Sequence, residues 1–333
     1  MTIVHHADPQ RVIATKNRKI FEKKENSSWQ KIGTFPFLPR DLFFCSRPST
    51  RLARADKCLL LPLPQGGGLL AIRCSNILIL KNEKEWTKIG TVQGDTPLHR
   101  GASISRHGNI FFGDYFMNPD RKEVHIYQVS ADGSRADIAH SFPAGQIRHV
   151  HGVHQDTYLP DRLWVTVGDE DGENFLYYTD DEFNSIEQLG DGSQMYRTVG
   201  LLFSRDHIHW VTDSPYEENY SITMDRNSGL IKKHQPFPST VWYQAQSSDG
   251  FYYCATTVEK GPAVKTKFGA LYASKDAVNW EEVARFPKDL WPMPHFKWGS
   301  LSLPSGGWDS KNIWISGEGL SKIDGKSIRI SEQ

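Results

Sequence analysis

One feature constrains this chain more than any other: a hairpin that returns about every 50 residues. A strand, a polar turn and a second strand are written in KIFEKKENSSWQKIG (19–33), ILILKNEKEWTKIG (77–90), HIYQVSADGSRADIA (125–139), FLYYTDDEFNSIEQLG (175–190) and ALYASKDAVNWEEVA (270–284). A weaker copy is SITMDRNSGLIKK (221–233) and a short one LSKIDGKSIRI (320–330). The first residues of the second strands are Trp29, Trp86, Ala136, Ile186, Ile231, Trp280 and Ile328, spaced by 57, 50, 50, 45, 49 and 48 positions. Between these hairpins lie further short apolar runs bounded by Gly, Asp or Asn, such as NIFFG (109–113), RLWVTVG (162–168) and IHWVT (208–212). No stretch of a dozen residues carries apolar positions at helical spacing, so the chain reads as all-β.

Four short strands per unit and seven units match the period of a β-propeller blade. A β-sandwich also has many short strands, but it has no need of a fixed phase along the whole chain. The expectation is one seven-bladed β-propeller domain over residues 1–333. Six blades is the alternative, reached if the short first and last units complete one another. Residues 322–330 are expected to pair with N-terminal strands and close the ring, which removes exposed sheet edges.

Composition excludes several function classes. Lys plus Arg and Asp plus Glu both number 39, which removes the chain-wide electrostatic basis for binding nucleic acid or an anionic membrane. The longest apolar runs, 59–63 and 69–72, are far too short to span a bilayer. The N-terminus MTIVHHADP lacks the basic start and apolar stretch of a secretion signal. Cys45, Cys58, Cys74 and Cys254 form no CxxC pair, as expected of thiols in a reducing compartment, so a cytoplasmic location is expected.

A propeller brings the starts of its innermost strands and the loops between its second and third strands to one face, because antiparallel neighbours alternate direction. The strand starts read Arg51-Leu-Ala-Arg54, Leu98-His-Arg-Gly101, Arg148-His-Val-His-Gly152, Tyr196-Arg-Thr-Val-Gly200, Val241-Trp-Tyr-Gln244 and Phe296-Lys-Trp-Gly299. Five of the six carry a cation: Arg51 or Arg54, Arg100, Arg148, Arg197 and Lys297. The facing loops carry Asp114, Asp169, Asp213 and Glu318 just after a strand. Asp is also an ordinary turn residue, and Arg–Asp pairs also join blades. A mouth ringed by Arg, acids, Tyr243 and Trp298 suits an anionic ligand with a flat face, because Arg pairs bidentately with carboxylates. The expected ligand is an acidic oligosaccharide or another anionic small molecule.

In Arg-His-Val-His-Gly-Val-His (148–154), strand alternation puts His149 and His151 on one side and His154 on the other. His149 and His151, joined by a carboxylate or by His99, form a candidate site for a divalent metal. No other cofactor is indicated. Catalysis by His151 as general base and a structural histidine are the competing readings.

The hairpin Leu271-Tyr-Ala-Ser-Lys-Asp-Ala-Val-Asn-Trp280 resembles the Asp-box of sialidase-like propellers. Ser274, Asp276 and Trp280 match it, and residues 277–279 replace the usual Gly-containing turn. Residues 178–181 and 130–133 are partial copies without the Trp. The resemblance implies a propeller and, for chemistry, a sialidase-like glycoside hydrolase with Arg100 and Arg197 gripping a sugar carboxylate. From the residues alone, hydrolysis by Asp169 and Asp213 is one expectation. β-Elimination on a uronate is a second, with Arg100, Arg197 or a metal neutralising the carboxylate and His151 or Tyr243 as base. A propeller that only binds glycan or protein is the third. The substrate-contact candidates are Arg54, Arg100, Arg148, Arg197, Asp114, Lys297 and Trp298.

Overall fold

In a computed structural model that describes residues 2–81 and 85–330, seven antiparallel sheets follow one another along the chain, six of four strands and the last of three. Within each sheet the strands are paired in sequence order. The blades span residues 3–34, 59–91, 102–142, 150–192, 202–237, 241–287 and 300–330. First strands of blades one and two, three and four, five and six, and six and seven lie against one another, and the first blade also meets the last. The chain is a seven-bladed β-propeller. The turn at 82–84 of the second hairpin lies outside the described residues.

The strand pattern follows from burial on two sides. Second strands such as Ile110–Gly113, Leu163–Val167 and Tyr252–Thr256 are buried along their whole length. A blade packs against a neighbour on each face, so its middle strands read as continuous apolar runs. The fourth strands have water beyond them and are polar, as in Glu85–Thr91 and Glu281–Pro287. The core is accordingly divided into layers between blades. Leu61, Ile72, Phe112 and Tyr127 join blades two and three. Phe111, Val150, Val165 and Tyr177 join three and four, and Trp164, Phe203, Trp210 and Met224 join four and five.

The 270–284 hairpin is held by its own side chains. Ser274 Oγ donates to Asp276 Oδ1 at 2.9 Å, and the same oxygen accepts the amides of Val278 and Asn279. Trp280 is buried beside it.

Ring closure departs from expectation. Strand Lys326–Ile330 pairs with the middle strand of its own blade. Among the described residues its hydrogen bonds to the N-terminus are the Ser327 amide on Thr2 O and the Val4 amide on Ser327 Oγ, each 2.8 Å. Further contacts run at the other end of the first strand, where Ala7 N donates to Ser305 O and Ser305 N to His5 O.

A second correction concerns residues 51–54, expected to begin an innermost strand. They belong to the linker between blades one and two, where helix α1 covers Arg47–Ala53. Ser46 accepts from the Ser49 amide, Pro48 sits in the first turn, and Arg54 ends the helix in the left-handed region. These are ordinary helix boundary signals. A shorter helix, α2 (Met293–Phe296), lies in the linker before blade seven and packs on α1.

Close blade packing leaves no room for a side chain at Gly113. A Cβ on Gly113 would stand 2.4 Å from the Cβ of Val150 in the next blade. Gly113→Ala is expected to lower stability by about 1–3 kcal/mol, measured by denaturant unfolding. Gly307→Ala, whose Cβ meets nothing within 4 Å, should leave the midpoint nearly unchanged.

Candidate functional site

The linkers between blades and the loops between second and third strands share one face, and on it the chain gathers a group of buried charges. His149 ends the linker from blade three. His151 sits at an irregularity in strand Val150–Gln155: Val150 pairs with Val167 and Gly152 with Thr166, leaving His151 between them without a partner. The same irregularity falls on His5 in blade one and Trp242 in blade six. Such bulges re-aim a side chain. Asp169 follows strand Leu163–Val167 after Gly168, whose φ of 123° favours glycine. Arg197 follows a short 3-10 turn, Gln194–Tyr196.

These elements converge on the Asp169 carboxylate. Arg148 Nη1 lies 3.0 Å from Oδ2, and Arg197 Nη2 3.1 Å from Oδ1. His151 Nε2 is 3.2 Å from Oδ1 and His149 Nε2 3.5 Å from Oδ2. Both imidazoles are anchored on the far side: His149 Nδ1 meets Phe116 O at 2.8 Å and His151 Nδ1 meets Thr198 O at 2.9 Å. A carbonyl only accepts, so each Nδ1 carries the hydrogen and each neutral ring turns the lone pair of Nε2 toward Asp169. Lone pairs facing a carboxylate repel unless a second proton or a cation lies between them. His149 Nε2 is buried with no hydrogen-bond partner among the described residues.

The donor set passes the test for a divalent cation. The ligand atoms of His149, His151 and Asp169 all lie within 4.8 Å of one another. Two imidazoles and one carboxylate suit several divalent metals, and carbonyl-bound Nδ1 atoms are the usual way to orient such rings. Arg148 and Arg197 hold the carboxylate ionised. Burial alone would raise the Asp169 pKa, but the surrounding positive charge, from the imidazoles whenever they carry a second proton and from Arg197, outweighs it and holds the acid well below its ordinary value.

Asp213 shows the opposite behaviour. It is buried, its Oδ1 has no hydrogen-bond partner among the described residues, and Arg197 Nε is 3.8 Å from its Oδ2. Burial, then Glu259 and Asp169, hold its pKa well above the ordinary carboxylate range despite Arg197. Arg197 loses this contest because its two terminal nitrogens already serve Asp169, one of them through the backbone carbonyl. Glu259 accepts from Thr240 Oγ1 at 2.5 Å and Trp242 Nε1 at 3.2 Å, and burial raises its pKa too. Tyr115 lays its ring 4.4 Å from that of His149.

The expected residues divide into groups. His149, His151, Asp169, Arg148 and Arg197 come together, with Asp213 beside them. Tyr243 stands nearby, its ring 5.9 Å from His99. Burial, then Glu318, raise the Tyr243 pKa, so it keeps its proton and is no base at neutral pH. His154 is turned away and meets Thr166 Oγ1 at 3.2 Å. Asp114 is structural: wholly buried, it accepts the amides of Gln93 and His125 at 2.8 and 2.9 Å. Arg100 does not join the arginines at the mouth. Its backbone is left-handed (φ 61°), and the guanidinium reaches Pro304 O at the opposite end of blade seven's first strand. Arg54, Lys297 and Trp298 lie toward blade seven, around α1 and α2, apart from Asp169.

Tyr115, Trp242 and Glu259 belong to the site and are absent from the sequence expectations. Glu259 and Tyr115 stand in the facing loops, Glu259 just beyond the position where acids were sought. Trp242 depends on a bulge that has no sequence signature.

No protein family matches the chain, and no curated protein matches it either. Solved structures do. The structure of an oligogalacturonate lyase in complex with manganese is 9% identical, with a TM-score of 0.61 over 100% of this chain and 91% of that one. A chain of a mitotic checkpoint complex, 9% identical, gives 0.59 over 99% and 87%, and YCF48 bound to D1 peptide, 10% identical, gives 0.55 over 100% and 92%. That likeness shows the fold alone. Among the described residues no helix is long and apolar enough to cross a membrane.

Asp213 gives this site a pH signature. Its folded pKa lies above the unfolded value of 3.8, so the native state holds a proton that the unfolded chain has lost. Its contribution to stability therefore falls as pH rises between those two values. Asp213→Asn keeps the shape without the ionisation, so its thermal midpoint should fall less than that of the wild type between acidic and neutral pH. Parallel pH profiles for the two proteins would show that Asp213 ionises freely.

Proposed function

We propose that this propeller is a lyase that cleaves a uronate-type oligosaccharide by β-elimination, with a divalent cation at His149, His151 and Asp169. One observation carries the reading: two buried imidazoles, each fixed through Nδ1 by a backbone carbonyl, aim bare nitrogens at a single ionised carboxylate. A cation bound there supplies a Lewis-acidic charge for the substrate carboxylate, which acidifies the hydrogen on the adjoining carbon.

The remaining roles fall to the chain's own groups. Arg197 and Arg148 keep Asp169 ionised and add positive charge beside the sugar carboxylate. Tyr115 offers a flat face. His99 makes no side-chain hydrogen bond among the described residues, and burial, then Lys57, lower its pKa to about 4. It is therefore neutral and free to take the proton from C5. The C5–H electrons form the C4–C5 double bond as the C4–O bond breaks. The leaving oxygen takes a proton from Asp213, whose burial keeps it protonated. A cytoplasmic location belongs to the same reading and agrees with four free cysteines.

Hydrolysis of an acidic glycan of the sialidase-like kind is the second reading. It is favoured by Asp169 and Asp213 having pKa values pushed apart, the mark of an acid–base pair. Against it, the Asp169 carboxylate is engaged by two arginines and faces two imidazoles, which weakens it as nucleophile or base.

The test uses oligogalacturonate with chelator-treated protein before and after addition of manganese. Ultraviolet absorbance from an unsaturated product should appear only with the metal. His149→Ala and His151→Ala should each lose stoichiometric metal and at least ~100-fold in rate. Reducing ends without the absorbance would favour hydrolysis. Full activity in a metal-free preparation would overturn the cation.

A further inference from the structure

The helical linkers beside blade seven hold a second group of charges. The amide of Lys57 donates to Arg54 O at 3.3 Å, so a turn after α1 sets these two side chains close together. Arg51, on the last turn of α1, donates to Phe296 O and so ties down the residue before Lys297. Arg54 and Lys297 both have positive φ, 51° and 64°, a costly conformation for residues with side chains, which the surrounding contacts impose. All three cations are half-buried. Among the described residues none of them enters an ion pair or donates a side-chain hydrogen bond.

Their neighbours on this face are paired. Arg40 grips Asp95 at 2.7 and 2.9 Å. Arg47 holds Asp324 at 2.9 and 3.0 Å and also Asp56. Asp289 is shared by Arg51 and Lys288. Glu318 is the one carboxylate near the group that no ion pair engages among the described residues. Burial, then Arg54 and Lys57, lower the Lys297 pKa, which reflects three like charges held in reach of one another with too little compensation.

We infer that Arg54, Lys57 and Lys297 form a second anion subsite, which receives a carboxylate of the sugar unit next to the one at His149, His151 and Asp169. The inference rests on the uronate reading above and narrows it to a chain with at least two acidic units. His99 and Tyr243, their rings 5.9 Å apart, link the two charge groups electrostatically: Lys57 acts on His99, and Asp213 on Tyr243. Trp298, half-buried next to Lys297, gives the second unit an apolar surface.

Calorimetric titration of the full chain, metal-free and at low salt, tests this with three probes: galacturonate, trigalacturonate and inorganic pyrophosphate. Wild type should bind trigalacturonate at least tenfold more tightly than galacturonate. Lys57→Gln with Lys297→Gln should erase that advantage, leave galacturonate binding unchanged and abolish pyrophosphate binding, while Lys57→Arg with Lys297→Arg restores both. Equal thermal midpoints establish that the variants fold. Loss of trigalacturonate binding in the double variant, with no elimination by manganese-loaded wild type, would keep the subsite and remove the lyase. Pyrophosphate binding that needs both lysines, with no uronate bound, would keep an anion site and remove the uronate. A double variant that binds trigalacturonate and pyrophosphate as wild type does would overturn the subsite.

Discussion

Strands buried on both faces are what the rest of this molecule depends on. Apolar segments such as Leu163–Val167 and Tyr252–Thr256 have no solvent side, so a single sheet cannot satisfy them. Each blade needs a neighbour on either side, and repetition of that need closes the sheets into a ring. The polar work is then left to the ends of strands. Linkers from distant parts of the chain are delivered to one face, although no two of the site's blades share a sheet.

Asp169 shows what such delivery achieves. Its loop comes from blade four, Arg148 and His149 from the linker before that blade, and Arg197 from the linker after it. A carboxylate in this position is stabilised as an anion by groups that are themselves held by backbone carbonyls, so little reorganisation is left for ligand binding. One contact away, Asp213 lacks such support, and burial raises its pKa well above the ordinary carboxylate range. Two chemically identical side chains thus have their pKa values pushed in opposite directions within reach of one arginine.

Much of this was legible in the sequence, because period and alternation are read directly from residue order. The repeat gave seven blades, and His-Val-His placed two imidazoles together. What escaped depended on backbone detail. Arg54 sits where the repeat calls for a strand start, yet Ser46, Pro48 and Ser49 mark a helix boundary just upstream. Arg100 precedes a strand as Arg148 does, yet its left-handed backbone turns the guanidinium down the channel toward Pro304. The bulges at His5, His151 and Trp242 leave no trace in residue type. Sequence spacing fixes which blade supplies a residue; one φ angle decides where its side chain ends.

The seventh blade ends at Lys326–Ile330, with no fourth strand beyond it among the described residues. Six sheets carry a polar outermost strand as a cover, and this one shows its third strand in that place. The N-terminus caps part of that border, where the Ser327 amide donates to Thr2 O; an uncovered strand edge is in general a place where an extended peptide can add. Lys326 and Arg329 are exposed along it. Like charges on adjoining copies repel, so Lys326 and Arg329 disfavour edge-to-edge stacking of the protein on itself.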